Sequence, residues 1–336
     1  MTPEQAISEL DEVAAGASRY PSWLSRLTTG LSGVAIALLF GAGAVAAGFA
    51  FLANMLVDLL YGFLGRRNWP AFFIQVLVGV LAVLVAACVH AIVPGADSSA
   101  VVVAVIMMML AGMTSTGAVQ DLMTGWHLTG LGRLTEGVMN TIGLIVGIRV
   151  TILTLDALGL RMIVGPDVST GAYPLWLMCI ISAGVALAFS LYVNLPASAF
   201  LPAACLTALG WASFSAASGL GLSTVWASAA AALVGGAVAA PLSLWMRVPS
   251  AILCTIAIIP LFPGLTLYQG LLEGVDNGGE LVLRAAATAA ALAGGMMFGQ
   301  YAVGRLLAAT AVGKRLYTPH FRLPFTTRRE MDDAEG

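Results

Sequence analysis

A chain of 336 residues that is 59% hydrophobic and only 10% charged falls far below the roughly 25% charge of an average soluble domain. Its apolar surface exceeds what a water-solvated core of this size can hide, so the composition excludes a soluble globular protein and makes the lipid bilayer its main surroundings. The net charge of −2 offers no electrostatic footprint for nucleic acid.

Taken from the start, the first 25 residues are polar and mildly acidic, with no short apolar run ending in a cleavage site, so no cleaved signal peptide is expected. The rest divides into apolar stretches of roughly the 20 residues that a helix needs to cross the hydrocarbon. These predict an all-α integral membrane protein with about ten transmembrane helices. The spans are placed near 28–43, 44–64, 69–92, 99–117, 131–155, 174–192, 197–214, 222–245, 249–268 and 281–306. Gly41-Ala42-Gly43 joins the first two, and a single longer helix is the alternative there.

Basic residues orient the spans, because cytoplasmic loops carry an excess of Lys and Arg. With the N-terminus inside and ten spans threaded, the cytoplasmic side receives Arg19, Arg26, Arg66, Arg67, Arg133, Arg247, Arg305, Lys314, Arg315, Arg322, Arg328 and Arg329. The outside receives only Arg149, Arg161 and Arg284. This predicts a multi-pass protein of the cell (inner) membrane with both termini cytoplasmic. The tail from Gly313 to Gly336 has little apolar material and is expected to lie at the cytoplasmic surface.

A shift of 152 residues superposes Gly112 on Gly264, Thr114 on Thr266, Asp121 on Glu273, Gly143 on Gly295 and Gly147 on Gly299. The matches suggest a duplicated five-span unit. Five being odd, the second copy must enter the membrane upside down, the inverted-repeat plan of many secondary transporters. The expected organisation is a short N-terminal segment (1–27), a first repeat (28–155), an extracytoplasmic linker (156–173), a second repeat (174–306) and a basic tail (307–336). Chance coincidence in a chain with 38 glycines is the competing explanation.

The fourth and ninth spans carry the strongest functional signal. The fourth runs apolar from Val101 and turns abruptly polar at Gly112, Thr114, Ser115, Thr116 and Gly117. The ninth holds Pro260 and Pro263, followed by Gly264, Thr266 and Tyr268. Proline removes a backbone donor and breaks a helix, and broken helix at membrane depth is tolerated only inside protein or along a watery cavity. Interrupted spans at matching places in two halves point to a transporter's binding site. An ordinary kink, with the hydroxyls bonded back to their own helix, is the other reading.

Among the charges, Asp121 and Glu136 are candidates for proton coupling, with Glu273 at the repeat position of Asp121, because an intramembrane carboxylate is costly unless it serves a purpose. The alternative is an interfacial position. Asp58 shares a helix face with Asn54 and is expected near the cytoplasmic interface, and His90 is expected to be structural or interfacial. Gly143-xxx-Gly147 and Gly295-xxx-Gly299 are small-residue faces for close helix packing. Cys88, Cys179, Cys205 and Cys254 have no metal-ligand spacing and are expected as buried small apolar residues. No P-loop, HExxH or GxSxG occurs, so no enzyme, cofactor, metal centre or ATP-driven pump is expected.

The run from Ala111 through Asp121-Leu122 to Gly125, continuing Gly130-Leu-Gly-Arg133-Leu-Thr-Glu136, resembles the conserved region of the threonine/serine exporter family. Arg247-Val248-Pro249 and Pro260-Leu261-Phe262-Pro263-Gly264, with Tyr268 and Gly270, are similar to that family's second half, and Arg19-Tyr20-Pro21-Ser22-Trp23 to the stretch before its first span. The likeness covers nearly the whole chain. It departs at Ala111, where the family has proline, at Gly117, where it has asparagine, and in the short segment ahead of Arg19. The resemblance implies a ten-span exporter of threonine and serine coupled to the proton motive force. The expected substrate cradle is Gly112, Thr114, Ser115, Thr116, Pro263, Gly264, Thr266 and Tyr268, with Asp121, Glu136 and Glu273 as proton-linked carboxylates. Expected partners are a small amino acid, protons and the bilayer, with a homo-oligomer or a chain supplying the missing N-terminal region. The rival is a non-transporting membrane subunit that completes a partner.

Overall fold

The computed structural model describes residues 20–93, 98–109, 112–160, 173–273 and 275–308. Every regular element among them is helical. Seven helices are long and apolar enough to cross a membrane. The expected first and ninth spans appear as shorter apolar helices, and the fourth is helical on both sides of residues 110 and 111.

In chain order the first half contains α1 (Ser22–Leu39), α2 (Ala44–Gly65), α3 (Ala71–Ile92), α4 (Ser98–Met109), α5 (Gly112–Met123) and α6 (His127–Ala157). The second contains α7 (Leu175–Tyr192), α8 (Phe200–Gly219), α9 (Thr224–Met246), α10 (Ser250–Ile258), α11 (Gly264–Glu273) and α12 (Val275–Ala308). Gly41 has a φ of 78° between α1 and α2, so these are two helices, not one. Several helices depart from the expected bounds: α1 runs over 22–39 against 28–43, and α8 ends at 219 against 214. α6 begins four residues before the expected 131, and α12 six before the expected 281, because each long helix continues past its apolar run into a hairpin with the short helix before it.

The same neighbours pack in both halves. α1 lies on α2, α3 on α6 and α5 on α6, while α7 lies on α8, α9 on α12 and α11 on α12. The two halves meet along α1 and α7, which run antiparallel. Tyr20, just before α1, donates its hydroxyl to the Leu195 carbonyl just after α7 at 2.8 Å. At the opposite end, Tyr173 bonds the Ala42 carbonyl at 3.3 Å.

The glycine faces mark the tightest crossings, with spans five and ten meeting equivalent neighbours. A Cβ on Gly143 or Gly147 of α6 would overlap the Phe72 or Val76 carbonyl of α3, and one on Gly79 would overlap the Leu144 carbonyl. In the second half, Gly295 and Gly299 of α12 abut the Ala229 and Leu233 carbonyls of α9, and Gly236 abuts Met296. Lipid tails are as apolar as leucine, so helices here associate through close van der Waals packing. Gly147→Ala is therefore expected to cost about 1–3 kcal/mol, the range for overpacking. Gly132→Ala on the same helix meets nothing within 4 Å and should gain up to about 1 kcal/mol of helix propensity. Thermal unfolding in detergent separates the two; equal shifts would contradict the crossing.

The outer surface is that of a lipid-solvated bundle. Trp23, Trp69, Trp126, Trp176, Trp226 and Trp245 are exposed at or beside helix ends, where interfacial aromatic belts form. The cysteine expectation is corrected here: Cys254 is buried, whereas Cys88 and Cys205 are exposed and Cys179 is half-buried, and all four are free thiols. In an apolar solvent a cysteine can face outward as readily as inward.

Candidate functional site

The polar run at the end of the expected fourth span is helical from Gly112 to Met123, as α5; residues 110 and 111, between α4 and α5, lie outside the described residues. Serine, threonine and glycine are weak helix formers, so α5 depends on its neighbours, α6 and α12. Gly130 of α6 admits α5 closely: a Cβ there would stand 2.9 Å from the Ala118 carbonyl and 2.7 Å from Leu122. Asp121 accepts a hydrogen bond from Arg133 at 2.7 Å across this hairpin. Asp121 is thus the α5 half of an ion pair at the margin of the bundle, its side chain 22% exposed against 52% for Arg133. Glu136, one turn further on, is exposed and faces no cation among the described residues.

The ninth span breaks as the two prolines predict. α10 ends at Ile258, a 3₁₀ turn covers Ile259–Leu261, Phe262 is extended with ψ 135°, and α11 starts at Gly264. Pro260 has no N–H, so the Ile256 carbonyl four residues back loses its regular α-helical donor. The Ile259 amide takes over that carbonyl in the 3₁₀ turn, and Thr207 of α8 adds a second donor: its hydroxyl, shared between two acceptors, lies 3.1 Å from the Ile256 carbonyl and 3.0 Å from that of Ala203. The carbonyl that Pro260 releases at Ile256 is therefore not left open towards a substrate. Further contacts pin α10 from both sides. Gly210 of α8 lets the Ala257 carbonyl approach to 3.0 Å of a would-be Cβ, and Gln300 of α12 donates to Cys254 Sγ at 2.8 Å.

The polar end of the fourth span and the broken ninth span are brought together. α11 packs on α12 and touches both α4 and α6, while α5 lies between α6 and α12. Met123, the last residue of α5, stands 3.4 Å from where a Cβ on Gly294 of α12 would lie. Of the expected cradle, Gly264 is buried, while Pro263 and Thr266 are half-buried. The Thr266 hydroxyl makes no hydrogen bond among the described residues, unlike Thr141, Thr151, Thr207 and Thr288, which bond back to their own helices. Gly112 opens α5. Ala111 and the side chains of Thr114, Ser115, Thr116, Tyr268 and Glu273 lie outside the described residues.

Other polar groups emerge only from the packing. Asn54 is fully buried where α1 and α2 meet, against Gly33, and donates to its own helix at Ala50 while its Oδ1 has no partner among the described residues. Asp58, one turn on, lies 4.0 Å from Arg26 of α1, as an interfacial residue does. His90 is exposed at the end of α3. Nothing in the local sequence marks Thr207 or Gln300 as partners of the broken span, since each acts on a helix 46 or 49 residues away.

The family model described as "Putative threonine/serine exporter" matches residues 1–155, and the model described as "Threonine/Serine exporter, ThrE" matches residues 178–306. The "Probable threonine/serine exporter" of Mycobacterium tuberculosis is 30% identical over 319 residues, covering 89% of this chain and 58% of the relative. The "Threonine/serine exporter" of Corynebacterium glutamicum is 28% identical over 313 residues, covering 90% of this chain and 64% of the relative. The chain thus spans about three fifths of the length of these curated relatives. No solved structure matches it.

Proposed function

This chain belongs to the threonine/serine exporter family, and we propose that it is a secondary transporter exporting threonine, serine or similar small amino acids, driven by the proton motive force. The observation that carries the reading is the convergence of the polar helix α5 and of α11, the second part of the broken ninth span, on the long helices α6 and α12, with α11 also touching α4. A zwitterionic amino acid needs donors for its carboxylate and acceptors for its ammonium group, and helix interruptions supply both without a formal charge in the membrane. Gly112, Thr114, Ser115, Thr116, Pro263, Gly264, Thr266 and Tyr268 form the cradle in this reading. Asp121, Glu136 and Glu273 exchange protons with the two aqueous sides.

The architecture in this reading is two five-span repeats of inverted topology, residues 28–155 and 174–306. The paired packing of the halves, the antiparallel run of α1 and α7, and the matched glycine crossings support it. The orientation places Arg66, Arg67, Arg133 and the basic tail in the cytoplasm. A reporter active only in the cytoplasm should work when fused after Gly336 and stay silent after Asp167. The reverse pattern would overturn the orientation.

The full chain, purified and reconstituted alone into liposomes, should move threonine and serine in preference to phenylalanine, faster under a proton gradient than without one. Transport indifferent to the gradient would remove the proton coupling. A folded chain that moves no amino acid would favour the non-transporting subunit.

A further inference from the structure

We propose that the cleft between the start of α1 and the end of α2 is a binding site for an anionic phospholipid, its phosphate held by Arg26, Arg66 and Arg67. The cleft is a cavity of about 650 Å³ whose lining includes Arg26 from α1 and Asp58, Leu59, Phe63, Arg66 and Arg67 from α2 and the turn after it. It holds three guanidinium groups against one carboxylate, and that carboxylate, Asp58, is engaged with Arg26 at 4.0 Å. Arg66 and Arg67 form no ion pair with a carboxylate among the described residues. The Arg67 guanidinium lies over the Phe63 ring, 4.4 Å from its centroid, which holds it in place before any anion arrives. Guanidinium forks match phosphate oxygens in geometry as well as charge.

Helix dipoles could account for cations at a helix C-terminus without any ligand. Here the last turn is already capped. The Leu64 carbonyl accepts from the amides of Arg67 and Trp69, and the Gly65 carbonyl from that of Asn68. The arginine side chains are left to face the cleft.

The lipid assignment comes from what continues out of the cleft. Leu52, Leu56, Leu59 and Phe63 are all exposed, and their spacing of four, three and four residues puts them on one face of α2. From Leu52 to Phe63 the stripe rises about 16 Å at 1.5 Å per residue, close to half of the roughly 30 Å hydrocarbon thickness. A charged pocket at one end and an apolar track one leaflet deep match a phospholipid with its phosphate at the arginines and an acyl chain along α2. A free phosphate would use only the pocket.

The test uses the purified full chain in a neutral detergent, with thermal unfolding and native mass spectrometry as readouts. Phosphatidylglycerol should stabilise the chain and remain bound. Phosphatidylcholine with the same acyl chains should do neither, and inorganic phosphate should not reproduce the effect. Arg66→Gln with Arg67→Gln should weaken phosphatidylglycerol binding by about tenfold or more, about 1.4 kcal/mol. Arg305→Gln, which removes an exposed arginine stacked on Tyr301 at another helix end, should leave binding unchanged. Stabilisation by phosphate equal to that by phosphatidylglycerol would make the cleft a simple anion site and overturn the proposal. Equal stabilisation by phosphatidylcholine, equal loss in the Arg305 variant, or full binding by the double variant would overturn it as well.

Discussion

Asp121→Asn is expected to abolish proton-driven transport while leaving counterflow exchange of substrate largely intact. The substitution keeps the size of the side chain and can still accept from Arg133, but it cannot carry a proton. Asp121 bonds Arg133 at 2.7 Å with both side chains partly exposed, so losing the ion pair itself should cost at most about 1 kcal/mol of stability. A severe loss of driven transport in a chain that unfolds at nearly the same temperature therefore separates a proton carrier from a strut between α5 and α6. Arg133→Gln added to Asp121→Asn provides the second control. If the carboxylate only neutralises Arg133, removing both charges should restore driven transport. If it carries the proton, the double variant stays uncoupled. Asp121→Asn with unchanged driven transport would reduce Asp121 to an interfacial residue.

The positions of most helices were legible because lipid imposes a length as well as an apolar composition. The helix α3, at 71–92, lies within the stretch read as 69–92. The helix α5 was legible only in part: residues 112–117 fall inside the stretch read as 99–117, and residues 118–123 lie beyond it. Its run Gly112-Met-Thr-Ser-Thr-Gly reads as a polar break, and it becomes helical because Gly130 admits it against α6 while α12 covers another side. Those are tertiary contacts with no trace in local propensity. The ion pair of Asp121 with Arg133 was half visible, as two opposite charges twelve residues apart in a run that then carried no turn assignment. Only the hairpin made by the turn at Gly125, whose φ is 88°, brings them together. At the ninth span the prolines announced the break, yet the sequence was silent on what becomes of the released carbonyl. That answer needed the crossing of α8 over α10, where Gly210 lets the backbones approach and Thr207 donates. The outward cysteines were misread for a related reason: in a bilayer, apolar composition does not distinguish the core from the lipid face.

Replacing both Pro260 and Pro263 with alanine should leave a stable protein that no longer transports. Proline in a helix interior costs about 3 kcal/mol relative to alanine, and restored amides at 260 and 263 would let α10 run on towards α11 as a regular helix. The gain at 260 should fall short of that figure, because the Ile259 amide and the Thr207 hydroxyl already reach the Ile256 carbonyl. This makes the break testable on stability as well as transport. In the parent, Thr207→Val keeps the shape of the side chain but removes its donor and leaves the Ile256 carbonyl to the Ile259 amide alone, and should cost up to about 1 kcal/mol, the net worth of a typical hydrogen bond. In the Pro260→Ala background the amide of residue 260 takes over the same carbonyl, so the same valine should cost much less. A double-mutant cycle reads the difference as a coupling energy, and a coupling of zero would mean that Thr207 and Pro260 act independently. The transport arm is separate. Continuous helix through 256–266 would close internally the backbone groups around Pro263, Gly264 and Thr266 that the proposed cradle presents to substrate, so binding of threonine and serine should fall with transport. A Pro260→Ala, Pro263→Ala variant that binds and transports normally would show that the prolines only bend the span, and the cradle would have to be sought elsewhere in the bundle.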